Sequence, residues 1–463
     1  MSSMQFRYPS AHERFDYDSW PEVEARLSAL DLSLPYTESV AALSRPVVAG
    51  PLQVPNAIAI HPMEGCDADE NGAPGELTFR RYRRFAAGGA GLIWGEAASV
   101  LPEGRANPRQ LWLHEGTVEQ FAQLHETIIT TAAAKFGTAH RPITVLQLTH
   151  SGRYARPDGL PRPVIAHHNP VLDARLGLPE DYPLISDAQL EALTEPFVAA
   201  ARLARQAGFD AVDLKACHGY LLNELLAAHT RGDSLFGGTF ENRTRLLLHL
   251  VEQIHQHVPD LALTCRLNVY DAFAYPYGFG MAHDGSLEPD LDEPVELICR
   301  LHEAGVSLVN VAYGNPYYNP HVERPYDSHE VGGYMPHEHP LANVAAMVRI
   351  QQELSRRLPQ VPMVATGLTW LRQFGPNVAA AMVEQNWCAV AGFGRMALAY
   401  PEFAADLLSN GQLSTDRVCV SCSRCTQIMR DGGQAGCVVR DAGVYGPIYR
   451  AGRQRARETT QDK

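Results

Sequence analysis

Lys215, Cys217, His218 and Tyr220 crowd the end of a short apolar run, Ala211–Leu214. An ammonium, a thiol, an imidazole and a phenol gathered at one strand end can hold an anion, polarise a carbonyl or move a proton. Gly219 stands among them, where the chain must turn sharply. A plainer reading has His218 and Tyr220 satisfying each other at a buried strand end. A second group lies near the C-terminus, where Cys419, Cys422, Cys425 and Cys437 follow a C-x₂-C-x₂-C-x₁₁-C pattern. Three thiolates at such short steps can wrap round one centre while a later loop brings the fourth, which suits a 4Fe–4S cubane. Zinc is the rival centre, although structural zinc sites usually pair their thiolates as C-x₂₋₄-C twice.

Two further patterns carry less. His337 and His339, in PHEHP, could share a metal, but no third ligand is evident and the segment reads as a solvated lid. Gly392–Ala397 fits the dinucleotide fingerprint G-x-G-x-x-A, yet no strand with its acid follows, so that reading is set aside.

Such groups need a scaffold that collects strand ends. Short apolar runs recur at Ala57–His61, Gly91–Glu96, Ile143–Leu148, Ala211–Leu214, Leu263–Leu267, Leu308–Val311, Pro362–Ala365 and Cys388–Ala391. Between them lie amphipathic patterns such as Thr117–Lys135, Asp187–Ala207, Glu241–His257, Pro294–Ala304, Leu341–Arg357 and Trp370–Gln385, with Ala397–Leu408 after the last run. A regular βα alternation implies a parallel sheet covered by helices. Eight repeats predict an α/β fold of the (β/α)8 TIM-barrel type, whose active sites lie at the C-terminal ends of the strands. The expected organisation is an N-terminal lead-in over 1–50, the barrel over 51–411 and a cysteine-rich cluster-binding extension with its tail over 412–463. Two long loops, Thr149–Ser186 and Ala312–Pro340, should wall or cover the site. The tail Arg450–Lys463 reads as a frayed, solvated end.

At 463 residues the chain exceeds one ordinary domain, which fits a barrel with additions. A net charge of −13 without a basic stripe argues against nucleic acid as a partner. No apolar run is long enough to span a membrane, and the N-terminus shows neither a basic n-region nor an apolar h-region. The expectation is a cytoplasmic protein. Cys66, Cys217, Cys265, Cys299 and Cys388 are scattered, mostly in apolar runs, as buried thiols are.

Several motifs occur in an order that resembles the Old Yellow Enzyme family of FMN-dependent barrel oxidoreductases. They include NAIAIHPM at 56–63, GGAGLIWGEAASV at 88–100, QLTHSGR at 147–153, GFDAVDLKACHGYLLNELL at 208–226, GGTFENRTR at 237–245 and GFGRMALAYPEF at 392–403. With the cysteine cluster, the likeness is to the iron–sulfur branch that includes 2,4-dienoyl-CoA reductase and trimethylamine dehydrogenase. The resemblance implies FMN against Pro62, Met63 and Ala97, with Gln147 at the isoalloxazine edge and Arg266 near N1 and O2. It implies that Gly367, Gly394 and Arg395 cradle the FMN phosphate. Tyr220 matches a tyrosine that protonates a substrate carbon, and Lys215 with His218 stands where many members have two His, or His and Asn, that hold the substrate. Lys215 could hold a carboxylate or polarise a carbonyl, or form a structural ion pair with Glu64 or Glu96. Glu64, just after Pro-Met, is a second departure and faces the substrate in this reading.

The expected activity is reduction of an activated C=C bond by hydride from FMN, with NADH or NADPH as donor and the 4Fe–4S cluster relaying electrons. A flavin dehydrogenase passing electrons through the cluster to a protein acceptor is an alternative, and a non-catalytic electron-transfer module is another. Expected partners are a small-molecule substrate and an electron-transfer protein; homo-oligomerisation stays open.

Overall fold

The computed structural model describes residues 12–461. Two short antiparallel strands, β1 (Val47–Ala49) and β2 (Leu52–Val54), come first and pair Val47 with Val54. Eight parallel strands follow: β3 (Ile58–Ile60), β4 (Leu92–Ser99), β5 (Ile143–Thr149), β6 (Ala211–Ala216), β7 (Ala262–Tyr270), β8 (Val306–Tyr313), β9 (Met363–Ala365) and β10 (Val390–Phe393). They close into a barrel in the order β10-β3-β4-β5-β6-β7-β8-β9. Each falls on a predicted apolar run, because strands sheathed in helices are buried on both faces and have no polar side to show. The architecture is the TIM barrel expected.

One end of the barrel is sealed by apolar side chains. Ala49, Leu52 and Val54 of the hairpin pack with Leu92, Trp94, Val145, Leu308 and Val390. The sequence reading did not foresee this hairpin. Polar residues gather at the other end, where parallel register sets neighbours side by side. Ala97 pairs with Gln147, Gln147 with Asp213, Lys215 with Arg266, and Arg266 with Asn310.

Three predicted helices are divided. Asp187–Ala207 is two helices, Asp187–Ala192 and Thr194–Gln206, the first opened by a capping box between Ser186 and Gln189. Trp370–Gln385 is a 3-10 segment, Leu368–Phe374, and then a helix, Gly375–Glu384, with Pro376 in its first turn. Pro401 separates Arg395–Ala399 from Phe403–Asn410. Within the described residues the tail is helical rather than frayed: Ala442–Gln461 is one helix, and the last two residues lie outside them. Its N-terminal turn is tied down upstream by Asp441, which accepts from Arg80 and Arg84 at 2.6 Å each. The segment after Asn410 returns to the polar end of the barrel, where Ala435 N donates to Gly65 O at 2.6 Å and Arg324 to Thr426 Oγ1 at 2.8 Å.

Candidate active site

A cavity of about 850 Å³ opens at the polar end of the barrel. All twelve non-cysteine residues singled out from the sequence line it: Pro62, Met63, Glu64, Ala97, Gln147, Lys215, His218, Tyr220, Arg266, Gly367, Gly394 and Arg395. They come from seven different strands, which no local spacing could have joined.

One side centres on Glu64. Its Oε1 accepts from Tyr220 Oη at 3.2 Å and from Gln110 Nε2 at 3.1 Å, and lies 3.9 Å from Lys215 Nζ. Lys215 Nζ also sits 3.7 Å from the centre of the Tyr220 ring, a cation–π approach. Burial draws the Lys215 pKa down, against the pull of Glu64. Of the two ion-pair partners considered for Lys215, Glu64 is the one present. Glu96 is held by Arg81 and by Gly65 N at 2.6 Å. The Tyr220 hydroxyl lies 2.9 Å from that of Tyr317, whose ring stacks at 3.9 Å on Tyr154. Burial, with Glu64 beside it, raises Tyr220 well above its ordinary range, so the phenol keeps its proton.

The other side centres on Glu323. Its carboxylate bridges His218 Nε2 at 3.0 Å and Arg266 Nη2 at 2.7 Å. Burial opposes ionisation of Glu323, but His218 and Arg266 outweigh it and hold the carboxyl below the usual range. Burial lowers His218 to about 4, so near neutral pH the imidazole is uncharged and Arg266 supplies the counter-charge. The plainer reading of His218 and Tyr220, each satisfying the other, is not what forms; they belong to separate clusters.

Gln147 Nε2 donates to Asp213 Oδ2 at 2.7 Å, and burial raises Asp213 to about 6. At the β9 and β10 ends the backbone comes close to its neighbours. Gly367 has φ +92°, and a Cβ at Gly394 would stand 2.7 Å from Met63 Sδ. Arg395 donates from Nη2 to Pro325 O at 2.9 Å, while its buried Nη1 has no partner among the described residues. Burial and the adjacent charge of Arg395 both lower Arg324. Two neighbouring guanidiniums, one with an orphan nitrogen, beside glycine-lined strand ends fit a phosphate.

The four clustered cysteines line one small pocket together with Arg395, Leu398, Ser421 and Ser423. Backbone N–H groups aim at two of the sulfurs: Ser421 N at Cys419 Sγ, 3.4 Å, and Arg440 N at Cys437 Sγ, 3.3 Å. Ser421 and Ser423 adopt positive φ, which curls the intervening backbone round the pocket. Among the described residues no group of three or more His, Cys, Asp or Glu side chains has the arrangement of a metal site. Cys425, Arg395 and Leu398 line both this pocket and the large cavity, so the two share a wall. His339 and His337 do not meet a common centre; His339 is buried and bonds Glu13 at 3.1 Å, while His337 is exposed.

Glu323, Tyr317, Tyr154 and Arg324 were missed in the sequence. The only signal for three of them was the length of Ala312–Pro340, which marks a wall but not which side chains face inward.

Residues 42–282 match the model of the NADH:flavin oxidoreductase / NADH oxidase family. The chain belongs to that family. It is 33% identical over 250 residues to an NADPH dehydrogenase of Bacillus pumilus, covering 53% of this chain and 65% of that one. It is 27% identical over 416 residues to an NADH oxidase of Thermoanaerobacter brockii, covering 87% of this chain and 57% of that one. The chain thus spans under two thirds of either relative. Its fold is shared with a 2-naphthoyl-CoA reductase bound to 2-naphthoyl-CoA, at TM-score 0.68 and 18% identity over 89% of this chain and 58% of that one. It is also shared with an Old Yellow Enzyme homologue from Zymomonas mobilis, at TM-score 0.58 and 19% identity over 81% and 94% of the two chains. Membership of an NADH:flavin oxidoreductase family agrees with the resemblance that the motifs carry.

Proposed function

We propose that this protein reduces an activated C=C bond with FMN in the large cavity and NADH or NADPH as electron donor. The observation that carries the reading is the Tyr220 hydroxyl, protonated and held between Glu64 and Tyr317 in a cavity whose far end fits a phosphate. Pro62, Met63, Ala97, Gln147 and Arg266 would hold the flavin ring, and Gly367, Gly394 and Arg395 its phosphate. FMN, when bound, supplies the hydride.

The chain's own residues do the rest. Lys215 Nζ is buried with only a 3.9 Å carboxylate contact, so it can turn to a substrate oxygen without breaking a tight pair. His218, neutral, donates its Nε2–H to Glu323, which leaves Nδ1 as an acceptor for a donor group on the ligand. Lys215 draws electron density toward the substrate oxygen and makes the alkene electrophilic. Tyr220 then delivers a proton to the carbon that becomes basic, with Tyr317 and Glu64 fixing the phenol's direction. Cys419, Cys422, Cys425 and Cys437 would hold a 4Fe–4S cluster, and the wall shared through Cys425 supports electron exchange between the two sites.

That shared wall also favours a second reading, a dehydrogenase in which substrate electrons leave through the cluster to a protein acceptor. Anaerobic NADPH consumption with 2-cyclohexenone tests the first reading; no alkene-dependent turnover of the FMN-loaded protein would sink it. Cys425→Ala separates the two. A reductase fed directly by NADPH keeps alkene turnover, whereas a dehydrogenase loses reduction of an external one-electron acceptor.

A further inference from the structure

The chain carries a net charge of −13, yet its cavity is cationic. Among the described residues, eight Arg or Lys side chains line it against two carboxylates, Glu64 and Glu323. Concentrating one sign of charge in a low-dielectric cleft of an oppositely charged protein focuses potential on a ligand of the other sign. Part of this charge is already explained. Arg266 is matched by Glu323 and Arg430 by Glu330, at 2.7 and 2.6 Å. Arg324 and Arg395 stand at the end that fits the flavin phosphate.

Arg109, Arg156 and Arg175 are left over, and they stand elsewhere. Arg109 follows β4, and Arg156 and Arg175 follow β5. In the ring of eight strands β5 lies directly across from β9, away from Gly367. None of the three forms a salt bridge among the described residues. Arg109 donates to two backbone carbonyls, Cys66 O at 2.8 Å and Gly432 O at 2.5 Å, and the Arg175 guanidinium lies 5.6 Å from the centre of the Tyr318 ring. Arg156 and Arg175 are exposed at the mouth, where Leu172 and Leu176 add apolar surface beside them.

We infer that Arg109, Arg156 and Arg175 form an anion subsite at the mouth of the cavity, taking a carboxylate or phosphate carried by the ligand that enters over the flavin. The inference rests on the flavin-cavity reading and names the class of molecule it admits: an anionic alkene, such as an unsaturated acid or a thioester with a phosphorylated tail. The phosphates of a nicotinamide dinucleotide share that chemistry and are the second source. Lys215 then meets the reacting end of the ligand while the arginines hold its far end.

The test uses the FMN-loaded full chain and needs no turnover. The para-carboxylate and para-carboxamide of benzylideneacetone, matched in shape and differing in charge only at the end remote from the enone, are titrated while the flavin absorbance is followed, in the parent protein and in Arg156→Ala/Arg175→Ala. The parent should prefer the carboxylate, and the preference should shrink by about tenfold in the double variant, as expected for two solvent-exposed charge pairs. It should also weaken as KCl is raised. If the variant instead slows flavin reduction by NADPH and leaves the carboxylate preference alone, the subsite stands and its anion is the dinucleotide's. Absence of any anion preference, or a preference that the double variant and salt leave unmoved together with unchanged reduction by NADPH, overturns the subsite. Turnover of the para-carboxamide or of 2-cyclohexenone reports separately on the alkene-reductase reading.

Discussion

The cavity holds two carboxylates, and they are treated differently. Glu323 is clamped, with contacts of 3.0 Å to His218 and 2.7 Å to Arg266, and its side chain is only 9% exposed. Glu64 is loose, 3.9 Å from Lys215, and its side chain keeps 18% exposure. The Glu323 cluster balances its own charge, so it can fix positions but has little left for a ligand. The Glu64 cluster is looser: an ammonium with no carboxylate nearer than 3.9 Å and a phenol whose hydroxyl meets both Glu64 and Tyr317. The difference assigns positioning to the first cluster and chemistry to the second.

The largest effect should come from breaking the clamp. Glu323→Gln leaves Arg266 buried without its counter-charge, and should cost about 3–5 kcal/mol of stability in urea unfolding. A change within a few tenths of a kcal/mol would show that the clamp is not what holds this wall. On the other side, Tyr220→Phe should slow alkene turnover by about 10²–10⁴-fold while flavin content stays intact. Unchanged rates would remove the phenol from the mechanism. Lys215→Ala should raise KM by about tenfold, the size of a charge-assisted hydrogen bond to the substrate. Should the variant lose flavin or unfold instead, its contact with Glu64 is structural and the contrast between the clusters fails.

A further effect is in pH. His218 titrates at about 4 in the folded protein against about 6.5 for a free imidazole. Between these values the unfolded chain binds the extra proton. This group's contribution to stability is therefore fully present above about pH 6.5 and is lost as pH falls toward 4, at about 1.4 kcal/mol per unit. His218→Asn should flatten that part of the stability profile.

Most of the barrel could be read in the sequence because buried parallel strands are apolar runs ending in polar residues. That rule found Ala211–Leu214 and with it Lys215, His218 and Tyr220. Which acids they meet could not be read the same way. Glu323 lies 105 residues beyond His218, in a loop whose path depends on closure of the whole barrel. Glu64 was found only because it follows Pro62 and Met63 at a strand end, and its choice over Glu96 depended on Arg81, on the helix Glu76–Ala86, claiming Glu96. The divided helices were misread for a simpler reason, since Pro376 and Pro401 were outweighed by apolar periodicity.

The central claim is a flavin cavity beside a thiolate-held cluster, reducible by a nicotinamide. An anaerobic visible spectrum of the purified full chain, with iron and sulfide analysis, followed by titration with NADPH and NADH, tests it most directly. Flavin bands over a broad cluster absorbance, bleached by either nucleotide, are the predicted result. A protein that takes up no FMN, or whose bound flavin neither nucleotide reduces, would contradict the account.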